Sequence, residues 1–568
     1  MKRIVAVLLT ASMVLTLAAC GKSEETSKKT KRTKKHTEQT ETEEPSDPET
    51  ETETETETET ETETTPAPTI SGGSRSGVPK DYEISPDFVI KDDATPIVYS
   101  RYSVPRVYGA MNGSDDYSVV RKIEKNVEII SFSDDDIETY NQLWNTIEAT
   151  CSQLDYNYDN LYDQLLPKFK AALSEDNRGD YIMESDSWIY RADSEIFSYM
   201  LRQNYQDGDM WNQSYKTCNY RSVDGGELTI NDIVFDKQGF ADFIVDYFSN
   251  VTDPYFFSDD IKVIARNLVD ESDDAEPVDF LLGYDGIYLV YGVMTMYPNI
   301  YKIPAMYCGD YVDMSYFGTT PEYYTLSNDA YDRITWDLNG DGELDEIWVE
   351  FDYDEYDNII GAYLVYNGTE ITPIPTDELT HDTMFFDNLK LMKTDDGFYA
   401  YIELGMEETD PSVYGFHFNG GSFDYSNYFN GGFTNNFYDP SYFELFTYSD
   451  IMGSDYRYAM NSVIGNYGAA KNTQSFNEKS GIACAKTDIL CQEVDEKGAI
   501  VGDYTIKEGT IVYLYAVDFE YGRLRAMTIA ENEEENVHVE MTLSVENWSY
   551  IIAGHDQGEI FEGMRFAG

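Results

Sequence analysis

A run of alternating threonine and glutamate from Glu49 to Thr64 separates the part of this chain that can fold from a part that cannot. Alternation has the two-residue period of a β-strand. Here both positions are polar, so neither face has anything to bury and the segment is expected to stay unfolded. Repulsion between the glutamates extends it. The low-complexity region covers residues 21 to 80. It begins with a basic patch (Lys28, Lys29, Lys31, Arg32, Lys34 and Lys35) and ends in Pro, Gly and Ser. A tether of this length reaches at most ~200 Å when stretched and averages ~45 Å as a neutral coil.

Before the tether, Met1-Lys2-Arg3 leads into an apolar run from Ile4 to Leu17, then Ala18-Ala19-Cys20. A charged start, a short apolar run and small residues before a cut are the parts of a secretory signal. The run is too short to span a bilayer as a stable helix. Cysteine directly after Leu-Ala-Ala resembles the lipobox of bacterial lipoproteins, whose thiol takes a diacylglycerol. The resemblance implies a signal peptide over residues 1–20 and a lipid anchor on Cys20. The alternative is an ordinary secretory signal with an incidental cysteine. Two or three acyl chains hold a protein at a membrane where one is marginal. The basic patch beside the anchor suits anionic headgroups, and the acidic stretch beyond it is repelled by them. The expected location is the outer face of a Gram-positive cytoplasmic membrane, with the folded part lifted into or through the cell wall. No other apolar stretch is long enough for a membrane helix.

The chain carries 106 Asp and Glu against 40 Lys and Arg, a formal net charge of -66. Phosphate binding needs a basic face, so nucleic acid is excluded as a partner. Cationic proteins and calcium are admitted; solubility alone is the plainer explanation. With 48 Tyr and 28 Phe, large cores can be built after the tether. Once Cys20 is used as an anchor, Cys151, Cys218, Cys308, Cys484 and Cys491 remain. Their spacing is neither a zinc pattern nor a dense disulfide framework. Cys484 and Cys491 can pair only if the chain turns back between them.

Beyond the tether the expected architecture is an α+β module over 81–318, a β-rich domain over 319–455 and a second β-rich domain over 456–568. Ile97 to Tyr108 reads as strand. Ser133-Asp134-Asp135-Asp136 opens a helix with Ser133 as N-cap and acids in its first turn. Its stripe is Ile137, Tyr140, Trp144, Ile147, Cys151 and Leu154. A second helix carries Phe240, Phe243, Ile244, Tyr247 and Phe248. Ser187 to Tyr199 and Gln213 to Val223 have the content of paired strands. Asp279 to Val293 reads as a hairpin turning at Asp285-Gly286. Phe398 to Leu404 and Val413 to Phe418 look like neighbouring strands, and Tyr425 to Tyr438 like a long loop. Near the end, Lys507-Glu508-Gly509-Thr510 before a strand resembles the turn of small SH3-like barrels.

Three segments carry a wider resemblance. They are Asp224-Gly225-Gly226-Glu227-Leu228-Thr229-Ile230-Asn231-Asp232, the helix that follows, and Val278-Asp279-Phe280-Leu281-Leu282-Gly283-Tyr284-Asp285-Gly286-Ile287-Tyr288-Leu289. In this order they resemble an extracytoplasmic domain of unknown function found in lysozyme-sensing anti-sigma factors and beside the catalytic domain of some peptidoglycan deacetylases. The resemblance covers about 180–318, more loosely from 95. It implies the fold of that domain. Two loops depart from the family pattern, Gln206 to Asn212 and Tyr291 to Tyr297, so no binding residue is carried over. The final Phe561 to Gly568 resembles the ending of many clostridial surface lipoproteins.

The sharpest local motif is Asp337-Leu338-Asn339-Gly340-Asp341-Gly342-Glu343-Leu344-Asp345, between strand-like flanks. Hard cations need about six to eight oxygens, and oxygens on alternate residues of a tight loop can converge. The expected calcium ligands are Asp337, Asn339, Asp341, the Glu343 carbonyl and Asp345, with Gly342 allowing the turn. The twelfth position, where an EF-hand needs Glu, is Trp348. The pattern is similar to calcium loops between strands of extracellular propeller repeats, and an acidic β-turn is the alternative. The role expected for calcium is structural. His381, His417, His538 and His555 show no paired spacing. No zinc-protease, nucleophile-elbow, Cys-His or phosphate-loop motif is found. The expectation is therefore a non-enzymatic, lipid-anchored binding or sensing protein. Candidate partners are lysozyme, peptidoglycan or another envelope protein. A structural or adhesive role with calcium-stiffened modules is the alternative, and an undetected hydrolase a third reading.

Overall fold

The computed structural model describes residues 82–564 apart from short stretches, the longest being 376–383 and 434–442. Residues 1–81, with the expected signal peptide, Cys20 and the tether, lie outside the described residues.

A six-stranded sheet organises the first half. Tyr99–Ser103 pairs with Val120–Phe132, followed by Tyr181–Ala192, Ile196–Asp207 and Met210–Arg221. Arg106–Met111 pairs with the other half of Val120–Phe132. All these pairings are antiparallel except Val120–Phe132 against Tyr181–Ala192. A parallel pair needs a crossover, and the helix Asn141–Ala172 supplies it. A short helix, Asp134–Thr139, leads into it. Ser133 is its N-cap, with the Asp136 amide donating to Ser133 Oγ at 3.2 Å. The expected single helix is thus broken at Tyr140; Ile137, Tyr140 and Trp144 of its expected stripe are half-buried, and the buried face of the long helix starts at Leu143. Leu143, Ile147, Cys151, Leu154, Tyr158, Tyr162, Leu165 and Phe169 are all buried on the sheet, and Pro167 sits inside the helix without ending it.

The helix Lys237–Val251 buries the five expected aromatic and aliphatic residues. The hairpin Asp279–Leu282 with Gly286–Tyr291 forms as expected, and Asn299–Pro304 adds a third strand. Three expectations are corrected. Ile97 to Tyr108 is two strands, because Pro105 has no amide hydrogen for the ladder. Ser187 to Tyr199 is not one strand but crosses a turn at Asp193–Glu195. Tyr425 lies in a strand, Phe423–Asn430, paired with Ser412–Phe418, so the Asn- and Gly-rich composition did not prevent pairing; residues 434–438 lie outside the described residues.

Beyond residue 318 there are a five-stranded sheet (324–329, 384–394, 397–406, 412–418, 423–430), a four-stranded sheet (334–336, 345–353, 359–366, 370–373) and a large C-terminal sheet. Among the described residues the expected SH3-like barrel is not found. Its strands Ile489–Val494, Ile500–Ile506, Ile511–Asp518, Arg523–Ile529 and Val537–Glu546 form part of an open 13-stranded sheet. The physical reason is that Asn477–Ala485 takes the free side of Ile511–Asp518, so the strands continue outward instead of closing on themselves.

Two cores cross the segment boundaries. One joins Phe88, the helix Lys237–Val251 and both sheets between residues 324 and 430. The other joins the helix Asn141–Ala172 and the six-stranded sheet to Ile482, Ile511, Tyr513 and Met527 of the C-terminal sheet. At this second junction Tyr513 donates its hydroxyl to Glu124 at 2.6 Å, and Glu124 pairs with Lys122.

One ion pair is sealed completely. Arg191 Nε lies 2.6 Å from Asp193 Oδ2, and both side chains are fully buried. The second carboxylate oxygen accepts the amides of Glu195 and Ile196 at 2.7 and 3.0 Å. The guanidinium also donates to the Tyr316 and Thr319 carbonyls at 2.6 and 3.4 Å and lies over the Tyr284 ring. Removing one partner of such a pair strands a buried charge, at a cost of about 3–5 kcal/mol. Arg191→Met is therefore expected to lower the urea midpoint markedly, and adding Asp193→Asn to recover part of the loss. A wild-type midpoint for Arg191→Met would mean the pair holds nothing.

Candidate functional site: the acidic loop and the altered hairpin

The acidic loop joins Ile334–Trp336 to Asp345–Tyr353, which pair antiparallel with Trp336 opposite Asp345. Trp336 is buried and its indole donates to the Tyr324 hydroxyl at 2.8 Å, so the entry strand is pinned. Gly340 and Gly342 have φ of 76° and 86°, left-handed values that favour glycine. The expected role of Gly342 in the turn is thus present, and Gly340 shares it.

The expected ligands divide into two groups. Asp337 accepts the amides of Gly340 and Gly342 on its two oxygens at 2.7 and 3.0 Å. Asn339 Oδ1 accepts from the Asp341 amide at 2.8 Å, and Asp341 Oδ1 from the Glu343 amide at 2.7 Å. A carboxylate offers about four lone-pair sites and an amide oxygen two, so half-buried Asp337 and exposed Asn339 and Asp341 keep acceptor capacity. Glu343 is exposed.

Asp345 is different. It is buried, and both its oxygens are engaged: Oδ2 by the Leu338 amide at 3.1 Å, Oδ1 by the Tyr366 hydroxyl at 2.6 Å and Asn367 Nδ2 at 2.7 Å. Asn367 itself has φ 48°, and its side-chain Oδ1 accepts the Glu346 amide at 2.8 Å. Burial, then the Asp345 carboxylate, pushes the Tyr366 hydroxyl pKa up. Asp345 thus ties the loop's far side to a neighbouring strand. Among the described residues, no three His, Cys, Asp or Glu side chains gather as a ready metal group. Tyr366 and Asn367 were missed from sequence, since nothing local links them to a loop over twenty residues earlier.

The strand Met210–Arg221, which begins in the first altered loop, bonds further along to the second altered stretch. The turn at Gly208, with φ 63°, leads to Met210 and Trp211, which are 64% and 46% exposed, a large apolar exposure for a hairpin tip. The Trp211 indole donates to Gln213 at 3.4 Å. Two residues on, the Tyr215 amide donates to the Val293 carbonyl at 2.7 Å, joining this strand to the altered stretch after Tyr291.

Cys20 lies outside the described residues. The other five cysteines are free thiols, Cys484 and Cys491 included. Among the described residues no helix is long and apolar enough to cross a membrane.

No family model matches the chain. No curated protein matches it either. Solved structures do. A DUF3298-family protein of Bacteroides fragilis is 15% identical over 39% of this chain and 95% of its own length, with a TM-score of 0.27. A DUF3298-family protein of Pseudomonas aeruginosa is 13% identical over 40% of this chain and 98% of its own, with a TM-score of 0.24.

Asp345→Ala leaves three donors without their acceptor at a buried site, each costing about 1–3 kcal/mol where water cannot replace it. The expected result is a lower denaturation midpoint with a changed Trp336 environment, read by tryptophan fluorescence. Asp341→Ala, at an exposed position, should change stability by under about 1 kcal/mol.

Proposed function

We propose that this chain is a bacterial surface lipoprotein, anchored through Cys20, with a non-catalytic binding or sensing role at the cell envelope. The observation that carries the reading is the lipobox-like Leu17-Ala18-Ala19-Cys20 followed by a basic and then an acidic tether ahead of a folded, strongly acidic body. A tether is useful to a protein that must meet something beyond the membrane surface, and the charge of -66 favours cationic partners. Lysozyme is one cationic protein of the envelope environment, and peptidoglycan fragments or another envelope protein are further candidates. The domain resemblance supports the same reading. Direct control of a sigma factor is not proposed.

Calcium is proposed as a structural ion of the acidic loop. Asp337, Asn339 and Asp341 would supply side-chain oxygens and Glu343 its carbonyl, while Asp345 braces the loop. If so, calcium should raise the unfolding midpoint of the wild type and not of Asp341→Ala. Equal midpoints with calcium and with chelator would remove the ion from the account.

Titration calorimetry of the full chain in neutral detergent against lysozyme, at two salt concentrations, tests the partner. Binding that weakens with salt supports capture driven by the acidic surface. No heat and no complex at either salt overturns lysozyme as the partner.

A further inference from the structure

A groove of about 590 Å³ opens where the first described segment, residues 87–91, runs beside residues 309–319 and the short helical turn Ile230–Ile233. Its floor rests on Ile233, Val312 and Phe317, which are buried, while polar and charged residues make up much of the accessible lining. Two large apolar side chains face solvent at its mouth, Phe235 at 66% and Val89 at 49% exposed. The rim is charged. Asp87, Asp232 and Asp313 stand around it against one cation, Lys91, which leaves three minus one, a local charge of -2. The Asp232 carboxyl accepts from the Thr229 hydroxyl and amide at 2.7 and 2.8 Å, which lowers its pKa and keeps it ionised. Asp313 accepts the Ser315 amide at 3.0 Å.

The groove is braced from behind. The Val234 and Asp313 amides donate to the Ile230 and Ile233 carbonyls at 2.8 and 2.9 Å, the Phe235 amide to the Tyr311 carbonyl at 3.0 Å, and Arg191 holds the carbonyls of Tyr316 and Thr319. A pocket of this size takes one large side chain with its flanking backbone. An exposed apolar pair inside an acidic rim selects for an apolar side chain that arrives with positive neighbours. Bare positive charge gains nothing from the pair, and an apolar acidic segment is repelled by the rim.

We infer that this groove is a docking site for a cationic polypeptide segment of a partner protein, one that seats an aromatic or aliphatic side chain beside Phe235 and Val89 while its Lys or Arg residues face Asp87, Asp232 and Asp313. The inference rests on the binding role proposed above and names the partner's chemistry at one place; it does not require the partner to be lysozyme.

The test uses the full chain in neutral detergent and three fluorescent peptides of equal length: repeated Lys-Lys-Phe, oligolysine, and repeated Glu-Glu-Phe. Fluorescence anisotropy reads their affinities. The Lys-Lys-Phe peptide is expected to bind about tenfold more tightly than oligolysine, the gain from partly burying one aromatic side chain. Phe235→Ser, at an exposed position, should abolish that advantage and leave oligolysine binding unchanged. Asp87→Asn with Asp313→Asn, which keeps the Asp313 cap acceptor, should weaken the Lys-Lys-Phe peptide about threefold or more and flatten its salt dependence. The Glu-Glu-Phe peptide should not bind. Equal binding of Lys-Lys-Phe and oligolysine, or unchanged Lys-Lys-Phe binding by Phe235→Ser, overturns the inference, because the contact is then diffuse attraction to the acidic surface. Peptide binding that depends on Phe235 in a chain that ignores lysozyme retains the groove and discards lysozyme. Lysozyme binding with no Phe235-dependent peptide binding does the reverse.

Discussion

The sealed contact between Arg191 and Asp193 sets the geometry on which the later parts of the molecule rest. Its two residues close the turn between the two central strands of the six-stranded sheet. The arginine then reaches 125 residues along the chain to the Tyr316 carbonyl, 2.6 Å away. Burying a guanidinium is costly unless every donor finds an oxygen, and the arrangement answers with a carboxylate and two backbone carbonyls. Because those acceptors tolerate little displacement, the segment 309–319 is held against the first sheet. That segment also forms one side of the acidic-rimmed groove. A charge pair with no access to solvent thus fixes the position of a surface that has full access to it.

Much of the local architecture was legible in the residues. The stripe from Ile137 to Leu154 announced helix there, and Ser133 with three following acids announced the start of the short helix Asp134–Thr139 that leads into the long one. Asp285-Gly286 placed a hairpin, and the glycines of the acidic loop placed its turn. What failed were readings that depend on neighbours remote in sequence. The C-terminal strands were correctly located, yet whether they close into a barrel depends on where Asn477–Ala485 docks, and no local pattern encodes that. Tyr425 to Asn430 looked like a loop because Asn and Gly are poor strand formers; pairing with Ser412–Phe418 overrides the propensity.

The candidate sites were legible to different degrees. The acidic loop stood out because alternating oxygens have a recognisable period, but the hold of Tyr366 and Asn367 on Asp345 could not be read from it. The groove left no signal at all. Its members come from residues 87–91, 232–235 and 309–319, and Phe235 in sequence is merely another aromatic in a chain that is 14% aromatic. Only exposure separates it from the many aromatics that fill the cores.

The proposed role joins these features: an acidic body on a tether that offers Phe235 and Val89, within a braced acidic rim, to cationic partners. Oxidative footprinting of the full chain with and without the Lys-Lys-Phe peptide tests it most directly, because Phe235 and Met314 both line the groove and both react with hydroxyl radicals. The account predicts that Phe235 and Met314 are protected in the complex, while Met210 and Trp211 at the distant-in-sequence hairpin tip keep their reactivity. A complex in which Phe235 and Met314 react as in the free chain would contradict it.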